Sequence, residues 1–246
     1  MNQQRQIFIG VDLGWYGKPT GLAALNWSGK ELTLIEATRI EESSAIANWI
    51  QSRVQKADAV VAVDAPLVIP NQAGCRAAEH ALSKEFRRCH AGCHAANLSR
   101  PFAAHVLKFS DLLGQLGFQH GAELTPKQCG RFQIEVHPHA ASVSLFDLPQ
   151  IVKYKKGRRA DRARELGRLR NLMMERLTQL QPRLPLPYLP ELPASGPLKP
   201  VEDQIDAVLC AYIAAHWWYW GKERNTVFGS LNDGYIVVPR QQKPDS

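Results

Sequence analysis

Short apolar runs alternate along this chain with longer segments of helical spacing. Ile7-Phe8-Ile9-Gly10-Val11-Asp12-Leu13-Gly14 is an apolar run that delivers one carboxylate and breaks at a glycine, and it reads as a buried strand. Asp58-Ala59-Val60-Val61-Ala62-Val63-Asp64-Ala65-Pro66 repeats the pattern. It is continuous enough for a strand buried on both faces, and it ends in an aspartate and a proline stop. Between the two, residues 20–27 and 31–38 form further strands joined by a hairpin signal at Ser28-Gly29-Lys30, so the first three strands make an antiparallel meander. Residues 131–138, which carry Glu135 and His137, are a later strand, and residues 228–239 a terminal strand or extended arm.

Helical spacing fills the intervals. Ile46, Trp49, Ile50 and Val54 predict a helix over 41–56, and Phe102, Val106, Phe109, Leu112, Leu113 and Leu116 predict another over 101–117. A helical piece is expected at 76–87 and a short one at 140–146. A longer helix carries Leu166, Leu169, Leu172, Met173, Leu177 and Leu180 as its buried stripe, with Arg164 and Arg168 on the solvent face. Glu202-Asp203-Gln204-Ile205-Asp206 opens the last helix, whose apolar body, residues 207–220, is too greasy to be exposed. Trp217 and Trp218 are therefore read as core rather than as base-stacking residues. Strands and helices together predict one α/β domain over 1–246, with an insertion at 68–100 after the fourth strand and a proline-rich surface connection at 182–200.

Composition narrows the class. With 45% hydrophobic and 22% charged residues the chain is ordinary globular protein. The longest apolar stretch, 207–220, is interrupted by His216 and falls short of the ~20 residues that span a bilayer, so no membrane partner is expected. No signal-like segment precedes the first strand, which points to a cytoplasmic protein with reduced thiols. Cys89-His90-Ala91-Gly92-Cys93-His94 matches half of a zinc site, but no second pair follows at the needed spacing, so structural zinc is not expected. The net charge of +7 is local: residues 153–170 hold nine basic residues against Asp161 and Glu165, an excess equal to that of the whole chain. Clustered charge focuses potential, which suggests nucleic acid at that place, held by Lys153, Lys155, Lys156, Arg158 and Arg159, with Arg100 from the insertion.

The two strand-end aspartates carry the chemistry. Side by side in a sheet they would bring Asp12 and Asp64 together, and oxygen-rich clusters of that kind suit magnesium or manganese. Asp203 and Asp206 lie near one face at the start of a docked helix and are candidates to join them. Glu135 or its neighbour Val136 faces the cluster, since successive strand residues point oppositely. His137 is a candidate general acid or base.

A meander that continues through helical crossovers to a carboxylate-bearing C-terminal helix resembles the ribonuclease H-like fold. The chain is similar, more narrowly, to the family catalogued as domain of unknown function 429, described as predicted nucleases of that fold. The matching stretches are Gly10-Val11-Asp12, Ala62 to Pro66, Glu135-Val136-His137-Pro138, Lys153-Tyr154-Lys155, Asp203 to Ala207 and Gly234 to Pro239, with Ser230 where an acidic residue is expected. The resemblance implies two divalent ions held by Asp12, Asp64, Asp206 and Asp203, and hydrolysis of a phosphodiester. Two other readings stay open: an actin-like nucleotide-binding protein or phosphotransferase, which shares the Asp-Leu-Gly opening, and a non-catalytic nucleic-acid-binding module.

Overall fold

The computed structural model describes residues 5–15 and 18–240. Six strands form one mixed sheet: β1 (Gln6–Asp12), β2 (Thr20–Trp27), β3 (Leu32–Ile40), β4 (Asp58–Val63), β5 (Gln119–His120) and β6 (Arg131–Glu135), in the order β3-β2-β1-β4-β6-β5. The first three pair antiparallel, and β1, β4, β6 and β5 run parallel. The expected meander and parallel extension are therefore present. The two-residue β5 is too short to leave a periodicity.

Alternation along each strand assigns the two faces. Ile7, Ile9, Val11, Val61 and Val63 face α1 (Ser43–Val54) and α3 (Ala103–Gln115). Phe8, Val60, Ala62 and Ile134 face the core built by α4 (Pro138–Phe146), α5 (Arg159–Arg176) and α6 (Lys199–Trp220), where Trp217 and Trp218 are buried as expected. Arg164 and Arg168 do point to solvent.

Glycine lets α6 lie directly on the sheet. A Cβ at Gly10 would sit 1.9 Å from the Ala207 carbonyl oxygen and 2.3 Å from the Ala211 nitrogen, and one at Gly21 2.1 Å from the Asp203 carbonyl. Backbone cannot rotate aside as a side chain does. Gly10→Ala is expected to cost about 3 kcal/mol or more, the upper range for overpacking, read as a lowered urea midpoint. An unchanged midpoint would mean that α6 does not rest on β1.

Two segments differ from expectation. The terminal run is a hairpin of β7 (Asn225–Ser230) and β8 (Gly234–Pro239), a second sheet joined to the end of β6 by a Val136–Val237 bridge. Gly229 and Gly234 take positive φ values of +85° and +81°, and the Ser230 hydroxyl donates to Asp233 Oδ2 at 2.8 Å. The reversal thus hides inside what reads as one strand, and Ser230 closes a turn with an acidic neighbour. The proline-rich segment, for its part, is more than a surface run, because Leu184, Leu186 and Leu189 enter the main core.

Arginines of α5 hold that segment down. Arg159 donates to the Pro193 and Gly196 carbonyls at 2.7 and 2.8 Å, and Arg170 Nη2 to the Leu189 carbonyl at 3.0 Å. A proline-rich chain has few backbone donors of its own to satisfy such carbonyls. Part of the basic segment is therefore structural. Within the insertion lies α2 (Ala77–Phe86), packed on β7 and β8. Among the described residues no helix is long and apolar enough to cross a membrane.

A candidate carboxylate centre

Parallel pairing sets Val11 beside Val63, and the Asp64 amide donates to the Val11 carbonyl at 2.9 Å. The next residues, Asp12 and Asp64, therefore leave adjacent strands on one face, the face of Gly10 and Ala62 that α6 covers. From α6 comes Asp206, fully buried, whose Oδ1 accepts the Tyr154 hydroxyl at 2.6 Å while Oδ2 lies 2.9 Å from Lys155 Nζ. Asp12 and Asp64 are half-buried and take no hydrogen bond from a described side chain or amide.

Electrostatics ties these groups into one unit. Burial pushes the Asp12 carboxyl well up, Lys155 pulls it down, and Asp206 and Asp64 push it up again. Asp64 is raised to about 6 by burial and by Asp206, against Lys155. Burial works against the Lys155 ammonium, but Asp206, with help from Tyr154, Asp12 and Asp64, holds its pKa well above the usual value. Lys199 is likewise raised, by Asp12 and then by Asp203, against burial. Three carboxylates thus share two lysines, and the nearer lysine stands where a cation would.

Not every candidate joins them. β6 pairs Val63 with Glu135, so Glu135 shares the face of Val63, opposite to Asp64. It is fixed there by Arg76 at 2.5 and 2.8 Å and by the Leu67 amide at 3.0 Å, outside the carboxylate centre. The alternative allowed by alternation is the one observed: Val136 takes the α6 face. Asp203 is buried one turn before Asp206 but pairs with Arg39 of β3 at 2.8 Å and with Lys199 at 2.7 Å. It is linked to Asp12 through Lys199, which both carboxylates hold.

His137 precedes α4, where Pro138 occupies the first turn. Burial, then His139 and Lys155, push its pKa down to about 3, and His139 is pushed to about 4 in the same way. A neutral His137 ring has no proton to spare as a general acid near neutrality, but its buried Nε2 has no partner and is open as an acceptor. Cys93, near the same place, is pushed well above the ordinary thiol value by burial and by Glu135, so it is a protonated thiol.

Of the basic residues, Lys155 faces inward to Asp206 and Arg159 binds the proline-rich segment. Lys153, Lys156 and Arg158 are exposed, as is Arg100, whose Nε donates to the Ala95 carbonyl at 3.2 Å. Tyr154, Lys199 and Arg39 belong to this region and were not singled out as site residues. Tyr154 alone was within reach of sequence reasoning, since Val152 and Tyr154 alternate, buried, with exposed Lys153.

The donor set suits a hard divalent ion: three carboxylates from three segments, two of them half-buried and without a hydrogen bond from any described residue. As they stand, with the Lys155 ammonium among them, no three His, Cys, Asp or Glu side chains of the described residues converge on a metal position. An ion held by Asp206 Oδ2 would compete with the Lys155 ammonium that pairs with it.

The sheet and its carboxylates define a mixed α/β protein with a charged centre at the ends of two parallel strands, roofed by its last long helix. The chain matches the family described as "Protein of unknown function (DUF429)" over residues 10–229, and it belongs to that family. A comparison with curated proteins finds no match.

Proposed function

We propose that this protein is a divalent-metal-dependent nuclease with a ribonuclease H-like fold, hydrolysing phosphodiester bonds of nucleic acid. The observation that carries this reading is the placing of Asp12, Asp64 and Asp206 on one sheet face, two of them without a hydrogen bond from any described residue. The strand order β3-β2-β1-β4-β6, antiparallel and then parallel, agrees with that architecture and supports it. Asp12, Asp64 and Asp206 would hold magnesium or manganese, most simply as a pair of ions. Such ions supply an activated water and stabilise the leaving oxygen.

The chain's own groups do the rest. Tyr154 orients Asp206 through its hydroxyl, and Lys199 balances Asp12 from the Asp203 side. Lys155, once released from Asp206, is a mobile ammonium beside the scissile phosphate. Lys153, Lys156, Arg158 and Arg100 hold the neighbouring backbone electrostatically, without reading its sequence.

One observation favours a second reading. Lys155 neutralises the carboxylates without any metal, as it would in a non-catalytic nucleic-acid-binding module that keeps the fold. Cleavage of end-labelled single- and double-stranded DNA, RNA and a hybrid, in Mg²⁺ or Mn²⁺ against EDTA, separates the two. Metal-dependent cutting is expected, with Asp12→Asn reducing it at least about a hundredfold. Binding without cutting, or cutting that survives the substitution, supports the module instead, and ATP binding would revive a phosphotransferase.

A further inference from the structure

Beside the Asp64 end of β4 lies a cleft of about 130 Å³, open on one side. That is below the range of drug-sized sites and leaves room for one ring system at most. Its walls are largely apolar, with Phe102, Val136 and Ile236 among them, and it is shared by Asp64, His137 and Trp15. Trp15 is 46% exposed, yet it is not loose. The Gly14 amide donates to Thr20 Oγ1 at 3.1 Å, the Gly14 carbonyl meets His105 Nε2 at 3.0 Å, and the Trp15 carbonyl accepts the Lys18 amide at 3.2 Å. The indole stands edge-on against Phe102, with ring centroids 4.4 Å apart.

The polar groups say what kind of occupant fits. On the cleft's floor the Arg76 guanidinium is spent on Glu79, Glu135 and the Val68 carbonyl, so it offers no anion site. Among the described lining residues a phosphate would find no free guanidinium or ammonium. The His137 ring leans on the Ala91 backbone, a contact that favours its protonated form, and His137 lines the cleft with its Nε2 buried and without a partner among the described residues. A fixed exposed indole, apolar walls and one buried acceptor suit a flat uncharged ring with an N–H on its edge, and the carboxylate of Asp64 sits at the same cleft.

We propose that this cleft is a base-binding subsite: it takes one unstacked purine or pyrimidine, stacked on Trp15 and donating an N–H to His137 Nε2. The assignment rests on the nuclease reading, because that reading places the attached phosphate at Asp12 and Asp64. A base inside a duplex cannot enter, so the subsite selects single strands or an extruded nucleotide.

Binding in EDTA tests this apart from cleavage. Short single-stranded DNA and RNA oligonucleotides are titrated into the full chain against abasic strands of equal phosphate count, with wild type, Trp15→Ala and Trp15→Phe. Loss of one base stack predicts roughly 5- to 150-fold weaker binding of the abasic strand by wild type. Trp15→Ala should bind the intact strand as weakly as wild type binds the abasic one and lose little further on the abasic strand, while Trp15→Phe recovers most of the affinity. Equal binding of intact and abasic strands, an unaffected Trp15→Ala, or no binding at all overturns the subsite. Base-independent binding with metal-dependent cutting overturns the subsite alone, whereas base-dependent binding without cutting leaves it standing and removes the nuclease reading.

Discussion

Arg76→Met is expected to destabilise the protein by about 3–5 kcal/mol at neutral pH, the range found when one partner of a buried ion pair is removed. Arg76, Glu79 and Glu135 are respectively 3%, 2% and 4% exposed, so water cannot replace the lost guanidinium. Four hydrogen bonds from its guanidinium tie three pieces of chain together. It joins the end of β6 through Glu135, the loop after β4 through the Val68 carbonyl, and the start of α2 through Glu79, which in turn accepts the Ala96 amide. Burial already pushes Glu135 up to about 7 against the pull of Arg76, and without Arg76 it must rise further. The folded state then binds a proton that the unfolded chain, with a carboxyl near its ordinary ~4.3, does not. Stability of the variant should therefore increase as pH falls from about 7 towards 5, and Arg76→Met with Glu135→Gln should recover much of the loss at pH 7. Urea midpoints of the three proteins across that pH range decide it. A loss below about 1 kcal/mol would show that Arg76 is not the tie its geometry makes it.

The same triad marks where sequence reasoning stopped. Asp12 and Asp64 were legible because each ends an unbroken apolar run, and two such runs in parallel admit few registers that bury them both. Asp206 was legible as a carboxylate in a helix too apolar to be exposed. Which face Glu135 takes depends on its pairing with Val63, a single-residue register that no pattern within residues 131–138 reveals. Arg39 claims Asp203 across a sequence separation of 164 residues, and local spacing cannot foresee such a partner. The basic run misled in part for a related reason. Arg159 and Arg170 answer carbonyls of a proline-rich segment, and charge counting does not distinguish a donor to backbone from a donor to phosphate.

Lys155→Met is expected to tighten Mn²⁺ binding by about tenfold or more while weakening the metal-free protein by about 1–3 kcal/mol. The ammonium lies 2.9 Å from Asp206 Oδ2, and Asp12 and Asp64 both feel its charge, so it is the cation with which any arriving ion must compete. Methionine keeps most of the stem's volume and removes the competitor. Without it the three carboxylates repel, and the metal-free fold loses one of the two lysine counter-charges that the described residues offer them, Lys199 being the other. Mn²⁺ should then restore the lost stability by mass action, giving a larger melting shift at a given concentration than in wild type. Lys153→Met, an exposed change two residues away, should alter neither quantity. Calorimetric titration with Mn²⁺ and melting curves measure both effects without reference to cleavage. Cleavage then separates two roles for the lysine: faster turnover at low metal means that Lys155 merely occupies the site, and slower turnover despite tighter metal means that its released ammonium serves the phosphate. Unchanged Mn²⁺ affinity together with unchanged metal-free stability would show that the carboxylates neither hold the lysine nor wait for an ion.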